Sequence, residues 1–240
     1  MEIRFLGTGD AVGTPKIGCD CEICTYAREH CLQRLRTSLL VTSEGKNLLV
    51  DTSPDLRQQL LCAGSPRIDA VIWTHGHYDH YIGFGEFYRV QEPPPVYAAE
   101  ETLSYIAPFF SFLSFGRHPV KPFVPFPLFG LSITLFPVNH PPIPSFGIRI
   151  ESPQGVVAYT GDTRADIPER SMELLKGADL LILDAIVPPE IHINKHMNYA
   201  EAEELARKAG ARAFRFVHLS PMMPWTLPHL ARDGDVIRFP

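Results

Sequence analysis

Three histidines and an aspartate are packed into the short run His75-Gly76-His77-Tyr78-Asp79-His80. An apolar stretch, Ala70–Trp73, precedes this run and predicts a buried strand. Because alternate residues of an extended chain point to the same side, we expect His75 and His77 to face one metal ion. Asp79 and His80 follow where the chain turns away, and they are expected to face a second ion. Zinc accepts neutral imidazole and carboxylate ligands, and a catalytic zinc keeps one position open for water. The run therefore predicts a site for two metal ions, and a histidine-rich solvated loop is the alternative.

Three further candidate ligands stand singly, each at the end of an apolar stretch that is predicted to be a strand. They are His140, Asp162 and His218. Strand ends that open into loops are where an α/β scaffold presents functional side chains, although a single such residue is more often part of a turn. Together with the run, these residues complete two ligand sets: His75, His77 and His140 for one ion, Asp79, His80 and His218 for the other, and Asp162 as a bridge. Two ions about 3.5–4 Å apart would share a hydroxide and lower its pKa toward neutrality.

Composition narrows the classes of protein that the chain can belong to. The net charge of −5 argues against non-specific binding of nucleic acid, which depends on many Lys and Arg residues, but not against one small phosphorylated substrate. No secretory signal and no apolar stretch of about 18 residues stands out, so we expect a cytoplasmic protein without membrane contact. Cys19, Cys21 and Cys24 are crowded into six residues and favour thiolate ligands over a disulfide framework.

The predicted elements that must position these residues form two successive blocks, each with strands followed by helices. This order indicates two sheets packed face to face with helices outside. The clearest helix begins after Asn198, which forms a capping-box pattern with Glu201, and it ends at Gly210. A helix with an aromatic face is predicted over residues 100–115. Cys62 is expected on the apolar face of another helix, as an inert core thiol.

The ordered set His-x-His-x-Asp-His, His140, Asp162 and His218 resembles the metallo-β-lactamase superfamily over nearly the whole chain. The resemblance implies an α/β fold of four layers, αββα, in which two mixed sheets pack face to face and helices lie outside. It also implies a single hydrolase domain over residues 1–240, with two Zn²⁺ or Mn²⁺ ions at one edge of the sandwich. His77 stands where di-iron members typically have glutamate, which favours zinc or manganese.

The cysteine loop Gly18–Cys24 resembles that of the PhnP-type phosphodiesterases, which open phosphoribosyl 1,2-cyclic phosphate. In that family the loop holds a structural zinc together with a histidine three residues beyond the last active-site histidine. The resemblance therefore implies a third metal ion at Cys19, Cys21 and Cys24, but Pro221 stands in place of the histidine. Either another group completes the site, with His30 and Cys31 the nearest in sequence, or the zinc is absent. We expect the metal.

The same resemblance implies a general acid. His196 precedes the capped helix, as does the histidine with which those phosphodiesterases protonate the leaving oxygen. The implied reaction opens a small cyclic phosphate through attack by a metal-bridging hydroxide, with Asp79 as a ligand that also orients the nucleophile. The alternative is a solvent-exposed loop histidine, since His192 nearby has the same residue type and surroundings in the sequence.

Other functions stay open at the level of the sequence. The fold and ligands also suit a tRNA 3′-processing endonuclease, a thioesterase or a lactonase, and the cysteine loop also occurs in a protein of pyrroloquinoline quinone biosynthesis. A non-catalytic metal-binding protein that kept the fold is a reading from another class. The phenylalanine-rich segment 105–115 is a candidate surface for a homodimer or another partner, a helix packed on the core, or a lid.

Overall fold

The computed structural model describes residues 1–240 and contains thirteen strands and six α-helices. The strands are β1 (Glu2–Gly7), β2 (Ser38–Ser43), β3 (Lys46–Val50), β4 (Ala70–Ile72), β5 (Val96–Ala98), β6 (Arg117–Pro119), β7 (Phe126–Leu128), β8 (Leu131–Val138), β9 (Ser145–Ser152), β10 (Gly155–Tyr159), β11 (Leu180–Asp184), β12 (Ala213–Val217) and β13 (Val236–Arg238). The helices are α1 (Glu22–Glu29), α2 (Leu56–Cys62), α3 (Tyr78–Tyr81), α4 (Glu100–Ile106), α5 (Glu169–Leu175) and α6 (Tyr199–Ala209). Two 3₁₀ helices cover Ile82–Phe87 and Ala107–Phe110. None of the helices has the length and apolar composition needed to cross a bilayer.

The strands form two mixed sheets. The first has the order β13-β1-β2-β3-β4-β5-β6, and the second has the order β12-β11-β10-β9-β8-β7. In the first sheet β2 and β3 pair antiparallel, whereas β3, β4, β5 and β6 pair parallel. In the second sheet β7, β8, β9 and β10 pair antiparallel, and β10, β11 and β12 pair parallel.

Alternate burial along the strands produces the layers. In β3, Leu48 and Val50 face a core of 21 buried residues between the two sheets, whereas Leu49 faces the opposite side. On that opposite side, Leu49 packs with Trp73 in a cluster that α2 and α4 cover. A third cluster lies between the second sheet and helices α5 and α6. The period of two that strands impose on their side chains thus gives helix, sheet, sheet and helix, which confirms the predicted αββα fold.

The parallel strands of both sheets end at one edge of the sandwich. There β4 leads into the histidine run, β8 into His140 and β10 into Asp162, and β12 leads into His218. Carboxyl ends of parallel strands are where open α/β sheets bind ligands, because loops leave the sheet there. The topology therefore gathers residues that are far apart in the sequence.

Several local predictions hold and two are wrong. Helix α6 begins with the complete Asn198–Glu201 capping box and ends at Gly210 in the left-handed conformation. The helix predicted over 100–115 is shorter, since α4 ends at Ile106 and a 3₁₀ turn that contains Pro108 follows. Proline lacks the N–H that would continue the helix. Cys62 is exposed at the end of α2, so its interpretation as a core thiol is also wrong.

The segment after α4 has one buried and one exposed face. Ile106 and Phe110 are buried against the first sheet, which supports the core-packed interpretation for that face. Tyr105, Phe109 and Phe112 are more than half exposed. The sequence did not indicate α1, whose eight residues begin inside the cysteine loop and bury Cys24 and Ala27 on one side.

Candidate metal centre

The structure brings all seven predicted active-site ligands together at the shared edge of the two sheets. Site A consists of His75, His77, His140 and Asp162, whose ligand atoms lie within 4.8 Å of one another. Site B consists of Asp79, His80 and His218, which satisfy the same limit. The Asp162 carboxylate also lies 3.3 Å from His80 Nε2 and 3.3 Å from His218 Nδ1, so it stands between the two sites.

The distances in site A fit one ion. His77 Nδ1 lies 2.9 Å from His140 Nε2 and 3.2 Å from His75 Nε2. Asp162 Oδ2 lies 3.5 Å from His75 Nε2. Two nitrogens at zinc-ligand distances on a tetrahedral ion are about 3.3 Å apart. The four side chains therefore already have the mutual spacing of a tetrahedral ligand set.

Site B contains buried polar atoms that no protein group satisfies. His80 Nε2, His218 Nδ1 and Asp162 Oδ1 are buried and have no hydrogen-bond partner. Asp79 Oδ2 lies 3.4 Å from His80 Nε2 and closes the group. Buried polar atoms in folded proteins are nearly always paired, so three orphans at one point call for a ligand. A divalent cation would satisfy all three at once, and the donor set of nitrogens and carboxylate oxygens fits Zn²⁺ or Mn²⁺.

One carboxylate orients a histidine in each site. Asp51 accepts hydrogen bonds from His80 Nδ1 and from the Thr74 hydroxyl, both at 2.7 Å. Since the Thr74 hydroxyl donates to Asp51, it accepts from His75 Nδ1 at 2.9 Å. Both histidines therefore carry their proton on Nδ1 and present the Nε2 lone pair to the centre. Outer hydrogen bonds of this kind fix the tautomer and ring orientation of metal ligands.

Electrostatics also favour cations. Burial lowers the pKa values of His75, His77 and His140, so these rings are neutral near pH 7 and their lone pairs are free to bind. Burial likewise opposes a charge on His80, but the surrounding carboxylates, Asp162 foremost, hold its pKa well above the usual range. The pocket therefore attracts positive charge strongly, and a divalent cation would take the place of that proton.

His196 lies beside both sites and is anchored from behind. Its Nδ1 is 2.6 Å from Asp184 Oδ2, and its ring stacks on His218 at 5.0 Å between centroids. A ring nitrogen lies within 4.8 Å of the ligand atoms of Asp162 and His218. Burial lowers the pKa of His196, but the Asp184 carboxylate outweighs this effect and the pKa rises to about 9. The competing His192 is 74% exposed and its Nδ1 contacts the Asn198 amide at 3.2 Å instead of a ligand of either site, so geometry separates the two histidines.

The loop that carries His196 is held by the same residue that caps α6. The Asn198 amide donates to the carbonyls of Pro189 and Ile191 at 3.2 and 3.1 Å. The next turn of this loop is fixed by His140, whose Nδ1 lies 2.9 Å from the Lys195 carbonyl. His140 therefore also carries its proton on Nδ1, and its Nε2 lone pair faces site A.

The cysteine loop forms a separate cluster. The sulfurs of Cys19, Cys21 and Cys24 lie within 4.8 Å of one another, and no fourth side chain joins this group. The two candidates for completing it do not do so. His30 Nδ1 is bonded to the Tyr26 carbonyl and its ring stacks on Tyr26, while Cys31 lines a surface groove beside Trp225.

Sequence reasoning missed the residues that orient the ligands. Asp51 follows β3 directly and Asp184 is the last residue of β11, so both obey the strand-end rule that identified His140 and Asp162. Thr74 gives no signal of its own, because a threonine beside a histidine run is unremarkable by composition. His118 and His229 pack against Tyr97 and Phe214, away from the centre.

Asp51→Asn keeps the size of the side chain but removes its negative charge and replaces one carboxylate oxygen with an NH₂ group. This weakens the hydrogen bonds from His80 and Thr74 that orient the ligands. We expect metal affinity to fall by about 10–100-fold at both sites, because outer-sphere partners of metal-binding histidines contribute this much. Competition with a chromophoric zinc chelator measures the change. Asp69→Asn is the matched control, because Asp69 precedes β4 and lies at the other end of this strand from the histidine run. This variant should bind metal like the wild type. Unchanged affinity in Asp51→Asn, or a loss confined to one ion, would contradict the shared role.

Comparisons with known proteins agree with this geometry. A family model described as the beta-lactamase superfamily domain matches residues 46–219. An octanoyltransferase of Porphyromonas gingivalis is 32% identical over 96% of this chain, which spans about half (48%) of that protein. Coenzyme PQQ synthesis protein B of Methylobacterium nodulans is 31% identical over 78% of this chain and 73% of its own length.

Solved structures give the same result. The crystal structure of a diphosphatase from the PhnP family superposes with a TM-score of 0.89 and 33% identity, covering 100% of this chain and 98% of that one. The short form of human tRNase Z superposes with a TM-score of 0.77 and 21% identity over 100% of both chains, which shows the shared fold. Because the family model covers most of the chain and the candidate ligands meet in space, the chain belongs to the metallo-β-lactamase superfamily.

Proposed function

We propose that the chain hydrolyses a P–O bond in a small phosphodiester, and that a cyclic phosphate is its substrate. The observation that carries this proposal is His196, anchored by Asp184 beside the carboxylate that both sites share. An alkoxide that leaves phosphorus is strongly basic and needs a proton as it departs. A thioesterase expels a thiolate, which leaves without one, so a preorganised proton donor favours phosphodiester over thioester hydrolysis.

Two divalent cations, Zn²⁺ or Mn²⁺, fit the two sites. Site A, with His75, His77, His140 and Asp162, would hold one, and Asp79, His80 and His218 would hold the other together with Asp162. When bound, such a pair of ions lowers the pKa of a shared water and neutralises charge on the phosphate. Burial raises the pKa of Asp79, but His80 outweighs it and keeps the carboxylate ionised, so Asp79 can accept a hydrogen bond and orient the nucleophile.

The proposed proton donor, His196, is held in place by protein groups. Asp184 is fully buried and also accepts the Thr163 backbone N–H at 3.0 Å, which fixes the carboxylate in place. Because Asp184 engages Nδ1 of His196, Nε2 is the nitrogen that can give its proton to the leaving oxygen. The His196 side chain is 12% exposed, which leaves the ring accessible to a bound substrate.

A second candidate is hydrolysis of a diphosphate. The PhnP-family structure that is 33% identical to this chain belongs to a diphosphatase. A phosphoanhydride expels a phosphate, a weaker base than an alkoxide, so it depends less on a proton donor. The octanoyltransferase of Porphyromonas gingivalis is about twice as long as this chain, which spans 48% of it, so its activity supports neither candidate.

We propose that residues 1–240 act as one hydrolase domain, because β13 pairs with β1 and thereby joins the two ends of the chain in one sheet. The substrate is small rather than a polynucleotide, which agrees with the net charge of −5. The exposed aromatic side chains of segment 105–115 are available for a homodimer contact.

His196→Ala should retain the metal ions and lose about 10²–10⁴-fold in kcat on a phosphodiester with an alkoxide leaving group, because that is the usual contribution of a general acid. On bis(p-nitrophenyl) phosphate, whose leaving group needs no proton, the loss should be much smaller. Steady-state kinetics on metal-loaded protein measures both rates. His192→Ala, in the same loop, is the matched control and should behave like the wild type. Equal losses on the two substrates would reject the acid assignment.

The substrate class is tested by phosphorus NMR of the zinc- or manganese-loaded protein. We expect a 2′,3′-cyclic nucleotide to open to a single monoester, because one fixed donor protonates one of the two ester oxygens. Cleavage of a dinucleoside diphosphate without ring opening would favour the diphosphatase candidate. No turnover of either compound by protein with both ions bound would contradict P–O hydrolysis.

A further inference from the structure

The cysteine cluster is a second potential metal site on the other side of the loop that follows His218. Cys24 is buried in α1, whereas Cys21 is exposed and Cys19 lies between these extremes. The Lys16 backbone N–H donates to Cys24 Sγ at 3.3 Å. Burial raises the pKa of the Cys24 thiol to about 11 and the Lys16 N–H offsets this only in part, so an ion that binds here displaces a proton from the sulfur. Three sulfurs within 4.8 Å of one another suit a soft divalent ion.

The segment Ser220–Trp225 packs on this cluster but offers it no side-chain ligand. The carbonyl oxygen of Pro221 lies 4.0 Å from Cys21 Sγ, so residue 221 is the part of the segment that comes near the sulfurs. A proline ring has no donor atom for a metal. No side chain of this segment therefore joins the three sulfurs as a fourth ligand.

The segment is fixed by a cation instead of a metal ligand. Arg34 is buried, and its guanidinium donates to the carbonyls of Ser220 and Met223 at 3.2 and 2.8 Å. It also stacks on Trp225 at 3.9 Å from the ring centroid. Since these contacts hold the loop after His218, the cysteine cluster has no need to anchor it.

Other side chains near the loop are engaged elsewhere. Asp20 is 94% exposed and pairs with Arg28, whose guanidinium also binds the Cys19 carbonyl. His30 Nδ1 forms a hydrogen bond with the Tyr26 carbonyl, and Cys31 lines the groove beside Trp225. The exposed Cys21 leaves the cluster open to solvent on its outer side.

We propose that Cys19, Cys21 and Cys24 bind a Zn²⁺-like ion through three thiolates only, and that its fourth position is held by a water that a small imidazole or thiol ligand displaces. Zinc in proteins is nearly always four-coordinate, and three protein ligands with one exchangeable position are the mark of an open site. Three thiolates on a divalent ion leave a net charge of −1, so a neutral ligand completes the shell at little electrostatic cost. This proposal does not rest on the proposed hydrolase activity.

Cobalt substitution tests the proposal with a sulfur-specific signal. In Co²⁺-loaded protein, kept reduced by a phosphine, the near-ultraviolet sulfur-to-cobalt charge-transfer bands report only the cysteine site, because the active-centre ligands contain no sulfur. We expect these bands in the wild type, and we expect added imidazole to shift them in a saturable titration.

Variants at position 221 provide matched comparisons. Pro221→His places an imidazole beside the sulfurs, so its bands should resemble those of the imidazole-treated wild type and no longer respond to added imidazole. Its affinity for the metal should rise by about tenfold or more, since even outer-sphere partners of a metal contribute 10–100-fold. Pro221→Ala removes the ring without adding a ligand and should still respond to imidazole.

Two results would overturn the proposal. Charge-transfer bands that imidazole leaves unchanged in the wild type and in Pro221→Ala would mean that a protein group, such as the Pro221 carbonyl, closes the site. Absence of these bands in protein with reduced thiols would mean that the three cysteines do not bind the metal. The wild-type titration needs no variant, so a folding defect in either substitution leaves the test intact.

Discussion

The structure depends on a concentration of buried negative charge at one edge of the sandwich. Asp51, Asp79, Asp162 and Asp184 are each at most 7% exposed, and they lie among six imidazoles. An ion buried in a protein interior costs several kcal/mol unless opposite charges and hydrogen bonds compensate it. Asp51 and Asp184 are compensated by backbone N–H groups and histidines. Asp162 Oδ1 and Asp184 Oδ1 have no hydrogen-bond partner, and under the proposed function two divalent cations beside Asp162 would balance its charge.

The fold supplies this arrangement by ending its parallel strands at the same edge. Each sheet delivers part of the centre, so the centre exists only when the sheets pack together. Asp51 and His218 both have left-handed backbone conformations, with φ of 60° in each case. Such conformations are unfavourable for residues other than glycine and persist where the surrounding structure enforces them. The local strain at these two strand ends positions His218, a candidate ligand, and Asp51, whose carboxylate orients His75 and His80.

The clustering of the candidate ligands could be predicted because their signal is local or follows a simple rule. The histidine run is dense enough to stand out, and His140, Asp162 and His218 each end an apolar stretch. Asp51 was not predictable as an orienting group, because its contact with Thr74 depends on the parallel register in which Val50 of β3 faces Ile72 of β4. A register between strands over twenty residues apart leaves no trace in composition or periodicity.

Tertiary contacts also decided the cases in which the sequence misled or left a choice open. Amphipathic spacing suggested a long helix over residues 100–115, but Pro108 and the packing of Phe110 end it early. His30 and Cys31 were the nearest candidates for a fourth ligand at the cysteine loop, yet the turn after α1 directs both away from the sulfurs. Proximity in sequence gives no direction to a side chain, whereas the order of strands in the two sheets fixes the directions of the active-centre ligands.

We propose that two metal ions flank Asp162. Anomalous diffraction from crystals of the zinc-loaded protein, measured on both sides of the zinc absorption edge, tests it most directly. We expect two peaks at the strand ends, about 3.5–4 Å apart, each in contact with the Asp162 carboxylate. A single peak there, or two peaks of which one has no contact with Asp162, would contradict it.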